Sequence, residues 1–171
     1  MSPQIIKPQE MAVRILKPSD DLSAFDCSRD DSMGLNEFIH SEAMNYQKEK
    51  LGVTHLFTYN DQVVGFATLA MSEIETREAP LLLSFGATIK NYPALLIGRL
   101  AAHNDFRGRN VGRSICLWCL DVAKKLSEEI GCKLVIVMTE GKAVEFYGKV
   151  GFEIFPKYEN KLRKWMYLRI P

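Results

Sequence analysis

Arg107-Gly108-Arg109-Asn110-Val111-Gly112 is the stretch that decides the fold. An apolar run, Leu95 to Ala102, precedes it, and an amphipathic one, Val111 to Ile130, follows. The pattern predicts a strand, a glycine-bearing turn and a helix. The first N–H groups of a helix have no intrahelical acceptor, and the helix dipole puts partial positive charge at the same end. Such a turn is suited to a phosphate or pyrophosphate, and Arg107 and Arg109 add charge to it.

Known phosphate loops do not fit. Gly108 to Ser114 reads G-x-x-x-G-R-S, one residue short of a P-loop and with Arg113 where that loop has lysine. The glycines do not space as G-x-G-x-x-G either, so a dinucleotide fold is excluded. A plain surface turn needs glycine for its backbone angles but no flanking strand, helix and arginines.

Outward from the turn, Val13–Leu16 reads as a first strand closed by Pro18. Leu35 to Lys50 reads as one helix, with Leu35, Phe38, Ile39, Ala43 and Tyr46 on a stripe and Gly52 closing it. Thr54–Tyr59 and Val63–Met71 read as a hairpin around Asn60-Asp61-Gln62. Ile74 to Leu83 reads as a loop leading into a strand. The long helix turns Ile115, Cys119, Val122, Ala123, Leu126 and Ile130 inward, with Gly131 as a left-handed cap. Lys133–Met138 is a continuous apolar strand, Lys142–Lys149 a short helix, and Phe152–Phe155 with Lys164–Ile170 a final antiparallel pair. The order implies an α/β fold: one mixed, mostly antiparallel sheet of six or seven strands with helices on both faces, in a single domain over residues 1–171.

Composition bounds the function. A net charge of +1 argues against a surface wholly given to nucleic acid. The greasiest stretch, Leu81 to Ala102, contains Lys90, Pro93 and Arg99, which excludes a membrane span. The N-terminal residues have no apolar signal segment, so the expected location is the cytoplasm. Cys116 and Cys119 form a C-x-x-C within a helix, without a second pair or a nearby histidine. They read as core, and no metal is expected. His40 and His55 have no constellation; His103, just before the turn, reads as a solvated loop residue. Glu73 and Glu75 follow a strand and are candidates for a general base.

The second informative segment is Ala143-x-x-Phe146-Tyr147-x-x-x-Gly151-Phe152. Together with Arg99-Leu100-Ala101-Ala102 and Arg107-x-x-Asn110-x-Gly112, it resembles the GCN5-related N-acetyltransferases. Their signature is Q/R-x-x-G-x-G/A at the start of a helix, after a strand often written R-L-A-V. The resemblance covers roughly residues 53–170. Asn110 stands where the family has its first glycine, and asparagine is the next residue in line for a positive φ. Glu140 stands near a position where many relatives carry asparagine.

The resemblance implies a definite chemistry. Acetyl-CoA is the co-substrate, held at its pyrophosphate by the backbone of Gly108, Arg109, Asn110, Val111, Gly112 and Arg113 beside Arg107. Its pantetheine pairs with the strand edge at Leu100, Ala101 and Ala102, where two neighbouring parallel strands, Leu95–Ala102 and Leu134–Met138, splay apart. A primary amine, on a small molecule or a peptide, attacks the thioester directly, and Tyr147 protonates the departing thiolate. Phe25-Asp26-Cys27, Leu35-Asn36-Glu37-Phe38-Ile39 and Gly65-Phe66-Ala67-Thr68-Leu69 are similar to one branch of the family. That branch contains toxins that acetylate aminoacyl-tRNA, which makes a charged tRNA an alternative acceptor. A homodimer and a non-catalytic acyl-CoA-binding module complete the expectations.

Overall fold

The computed structural model describes residues 1–78 and 89–171. Its strands are β1 (Ala12–Ile15), β2 (Val53–Tyr59), β3 (Gln62–Glu75), β4 (Asn91–Ala102), β5 (Leu134–Thr139), β6 (Glu153–Ile154) and β7 (Lys164–Arg169). They form one seven-stranded sheet in the order β1-β2-β3-β4-β5-β7-β6. The expected mixed sheet is therefore present. β4 and β5 run parallel, while β1–β2, β2–β3, β5–β7 and β6–β7 are antiparallel. The helices are α1 (Leu35–Glu37), α2 (Ala43–Lys48), α3 (Val111–Glu129) and α4 (Lys142–Val150).

The chain forms two compact units. The first holds Met1–Ala70 and Gly98–Cys119; the second holds Met71–Ile97 and Leu120–Pro171.

In the first unit, β2 and β3 are joined through Asn60 and Asp61, at φ 49° and 60°. Two consecutive left-handed residues twist a two-residue turn the way the strands need. Neighbouring residues of β3 then face opposite ways. Phe66 turns to Phe38, 6.4 Å between ring centroids, in a core with Phe25, Ile39, Ala43, Leu56 and Ala101. Gly65 turns to α3, where Ile115 and Val111 lie over it. A β-carbon at Gly65 would stand 2.5 Å from Ile115 and 2.8 Å from the Ala101 carbonyl. Only glycine lets α3 approach the sheet this closely. His55 and Phe57 of β2 pack against Trp118 of α3, at 4.8 and 5.2 Å between centroids.

The region read as one helix from 35 to 50 is three pieces. A π-helical segment, Phe38–Glu42, separates α1 from α2. The expected stripe nonetheless holds: Phe38, Ile39 and Ala43 are buried, with Leu35 and Tyr46 packed against them. The closing residue is Lys50, at φ 58°, rather than Gly52; the Leu51 N–H returns to the Tyr46 carbonyl at 2.9 Å. Gly52 is buried instead, its α-carbon facing the methyl of Thr68.

In the second unit, Tyr92, Ala94, Leu134, Ile136 and Phe155 form the core. Pro93 lies inside β4, which begins four residues earlier than the sequence suggests. A proline costs a strand only its N–H, and the Pro93 carbonyl still accepts from Lys133 at 2.8 Å. Of the residues expected inward on α3, Ile115, Cys119 and Ala123 are buried and Ile130 is 57% exposed. Gly131 is not among the residues at positive φ, so the expected left-handed cap is absent. β3 runs on to Glu75 and passes into a 3-10 turn, Thr76–Glu78; the rest of the expected loop and strand up to Leu83 lies outside the described residues. No helix among the described residues is long and apolar enough to cross a membrane.

Candidate active site

In the first unit, β4 leads through a 3-10 turn, Asn104–Phe106, into the glycine turn and α3. Gly108 is at φ 73° and Asn110 at φ 71°. Asparagine thus adopts the left-handed backbone that the motif requires of its first glycine. Its amide reaches the Ser114 hydroxyl at 3.4 Å. The first helical hydrogen bond runs from the Ser114 N–H to the Asn110 carbonyl, 3.0 Å. The N–H groups of Val111, Gly112 and Arg113 precede it, at the positive end of a 19-residue helix.

The arginine side chains of the turn have partners within the chain. Arg107 is drawn to the Arg29 carbonyl and, at 3.3 Å, to the Asp30 carboxylate. Arg109 donates to the Gln4 carbonyl at 2.8 Å and lies over the rings of Phe106 and Tyr59. Both side chains brace the loop, and the exposed Arg113 is left on the first turn of α3. Leu100, Ala101 and Ala102 close β4. The β4–β5 ladder runs only from Ala94↔Leu134 to Ile97↔Val137, so β4 continues five residues past it.

His103 is 4% exposed, not the solvated residue its place in the sequence suggests. Its Nδ1 accepts from the Asp105 N–H at 3.0 Å, which leaves Nε2 to donate to the Ala24 carbonyl at 2.9 Å. Its ring meets Phe25 and Phe106 edge-on. The sequence signal, one histidine beside a turn, does not specify such a brace.

In the second unit, Tyr147 lies on α4 and is 5% exposed. Phe146 and Phe152 hold its ring at centroid distances of 5.0 and 5.4 Å. Gly151, at φ 117°, ends α4, and the N–H groups of Gly151 and Phe152 both reach the Tyr147 carbonyl. The glycine and phenylalanine of the motif thus fix the tyrosine's backbone and ring. Glu140 is paired with Arg163 at 3.3 Å. Glu73 is exposed, and Glu75 is paired with Arg77. All four cysteines are buried free thiols, and burial pushes the Cys116 thiol up to about 12. The C-x-x-C is therefore core. Among the described residues no cluster suited to a metal occurs.

Residues 52–154 match the model of the acetyltransferase (GNAT) domain. The chain belongs to the GNAT acetyltransferase family. No curated protein matches it. Solved structures do. AtaTR bound with acetyl-CoA is 23% identical, with a TM-score of 0.78 over 95% of each chain. AtaT complexed with acetyl-methionyl-tRNAfMet is also 23% identical, with a TM-score of 0.75 over 91% of this chain and 93% of that one. A tyrosine-to-phenylalanine mutant of KacT is 20% identical, with a TM-score of 0.78 over 95% and 96%. These likenesses extend the shared fold beyond the matched domain to nearly the whole chain.

Proposed function

We propose that this acetyltransferase moves the acetyl group of acetyl-CoA to the free amine of an aminoacyl-tRNA. The observation that carries the donor half is the pair of left-handed residues, Gly108 and Asn110, opening a long helix whose first N–H groups are unspent. The acceptor half is supported by the shared fold of AtaT, solved with an acetylated aminoacyl-tRNA. Such a reaction takes place in the cytoplasm, and an antitoxin is the partner to expect, because AtaT, whose fold the chain shares, is solved bound to the C-terminus of the antitoxin AtaR.

The pyrophosphate takes hydrogen bonds from the backbone at 108–113. The strand margin at Leu100–Ala102 pairs with the pantetheine amides as an added strand would. An N–H of that margin polarises the thioester carbonyl and holds the negative oxygen of the tetrahedral intermediate. The amine must be neutral to attack. Its nitrogen bonds to the acetyl carbon, the C–S bond breaks, and the electron pair leaves on sulfur. Tyr147 gives its hydroxyl proton to that thiolate. The proton lost by the amine restores the tyrosine through water. Neither metal nor covalent enzyme intermediate enters.

The test is thiol release from acetyl-CoA with charged tRNA and, in parallel, with small amines and lysine peptides. Turnover confined to charged tRNA is the expected result. Turnover only with small amines or peptides refutes the acceptor. Acetyl-CoA binding without turnover on any acceptor makes the chain a binding module.

A further inference from the structure

Arg99 has an unusual environment. It lies on β4, two residues before Ala101, on the face covered by α1, the π segment and α2. Its guanidinium carbon stands 4.8 Å from the centre of the Phe38 ring. One terminal nitrogen donates to the Gly98 carbonyl at 2.8 Å. The Nε is fully buried and has no acceptor. Among the described residues no carboxylate lies within ion-pairing distance of it. Arg99 as a whole is only half-buried, so the outer end of the guanidinium, not its Nε, is what a ligand can reach.

The platform under it is rigid. Phe38 is 1% exposed, with Tyr46 edge-on at 5.2 Å and Phe66 stacked at 6.4 Å. Phe38 also opens the π segment, whose wide turn closes from the Ala43 N–H to the Phe38 carbonyl. Single π turns inside helices concentrate at functional sites. Here the wide turn begins at the residue on which the arginine lies. Two independent irregularities, a half-buried cation with an unpaired Nε and a π turn, meet at one point.

We propose that Arg99, laid on Phe38, binds a phosphodiester of the single-stranded 3′ end of the acceptor tRNA. This rests on the acceptor reading above. A planar guanidinium with free donors matches two phosphate oxygens at once. Stacking on an aromatic ring fixes its plane before the ligand arrives. With a net charge of only +1, attraction for a polyanion has to be local. The end of a tRNA carries a phosphate at every nucleotide, so a single positioned cation suffices to register it.

The probe is a fluorescently labelled, 5′-phosphorylated CCA trinucleotide, read by anisotropy. R99Q should bind it about 10- to 100-fold more weakly, as losing a hydrogen bond to a charged group implies. The slope of log K against log salt should fall by about 0.7, the value for one single-strand phosphate contact. R99K should lie between the two, and F38L should lose about 2- to 5-fold. Acetyl-CoA affinity, measured by calorimetry, should stay within about two-fold in all three, which also shows that they fold. An unchanged trinucleotide affinity or salt slope in R99Q overturns the proposal. So does a parallel loss of acetyl-CoA binding, or a preference of the unmodified protein for an acidic peptide over the trinucleotide. If R99Q misfolds, R99K and F38L decide the question. Arg99-dependent trinucleotide binding without acetylation of charged tRNA would leave this assignment standing and remove the proposed activity. Acetylation of charged tRNA with R99Q indistinguishable from the parent would do the reverse.

Discussion

Asn110 offers a quantitative test of the turn. At φ 71° it occupies a region that costs an ordinary L-residue roughly 1–2 kcal/mol. Asparagine escapes part of that penalty, and its amide contact to Ser114 is long, at 3.4 Å. Asn110→Gly removes the steric penalty and that weak contact together, so the melting temperature should move by no more than about 2 °C. Asn110→Val brings the full penalty with a β-branched side chain. In a domain of this size about 1–2 kcal/mol lowers the melting temperature by roughly 2–8 °C. If the valine chain instead stays folded by leaving the left-handed region, the cost appears in binding. Acetyl-CoA should then bind roughly 5- to 30-fold more weakly. Thermal melts with and without acetyl-CoA, together with calorimetry, separate the two routes. Equal melts and equal dissociation constants for the glycine and valine variants would refute the account.

Tyr147→Phe keeps the ring between Phe146 and Phe152, so acetyl-CoA should bind normally while kcat falls by about 10²–10⁴; a near-normal kcat would make Tyr147 a packing residue. Gly112→Asp is compatible with the first turn of a helix but sets a carboxylate against the pyrophosphate, and calorimetry should show binding lost in a folded protein. Burial holds the His55 imidazole below its ordinary value of 6.5. The unfolded chain therefore takes up the proton first, and stability should fall as pH drops below 6.5. His55→Leu should flatten that dependence in melts between pH 7.5 and 5.5. The buried cysteines, with Cys27 and Cys116 both raised to about 12 by desolvation, should resist thiol reagents until the protein is denatured.

The parts of the fold legible in the sequence are those set by local rules. Asn60-Asp61 codes a hairpin, and the apolar run from Leu134 codes a buried strand. The glycine turn codes the start of α3. The π segment at 38–42 is not legible, because a five-residue change of pitch leaves the same apolar stripe. Neither is the role of Lys50: a lysine at φ 58° is held by the Leu51–Tyr46 hydrogen bond, not by its own preference. Pro93 looks like a residue ahead of a strand and sits inside one, since the cost of its missing N–H depends on which side of the chain is paired. At the site, the motif identifies the turn but not what its arginines touch. Asp30 and Gln4 lie 77 and 105 residues away along the chain, and no spacing rule reaches so far.

The N-terminal residues have a practical consequence. Pro3 rests 3.4 Å from where a β-carbon of Gly108 would stand, Gln4 accepts from Arg109, and the Ile6 N–H donates to the Arg109 carbonyl at 3.0 Å. Ile6 is 1% exposed and anchors this strap beside the glycine turn. An affinity tag or reporter fused ahead of Met1 would therefore begin two residues from the clasp and pull on the loop to which we assign the acetyl-CoA pyrophosphate. A fusion placed after Pro171 follows β7, far along the chain from that loop. Tags for activity work belong there.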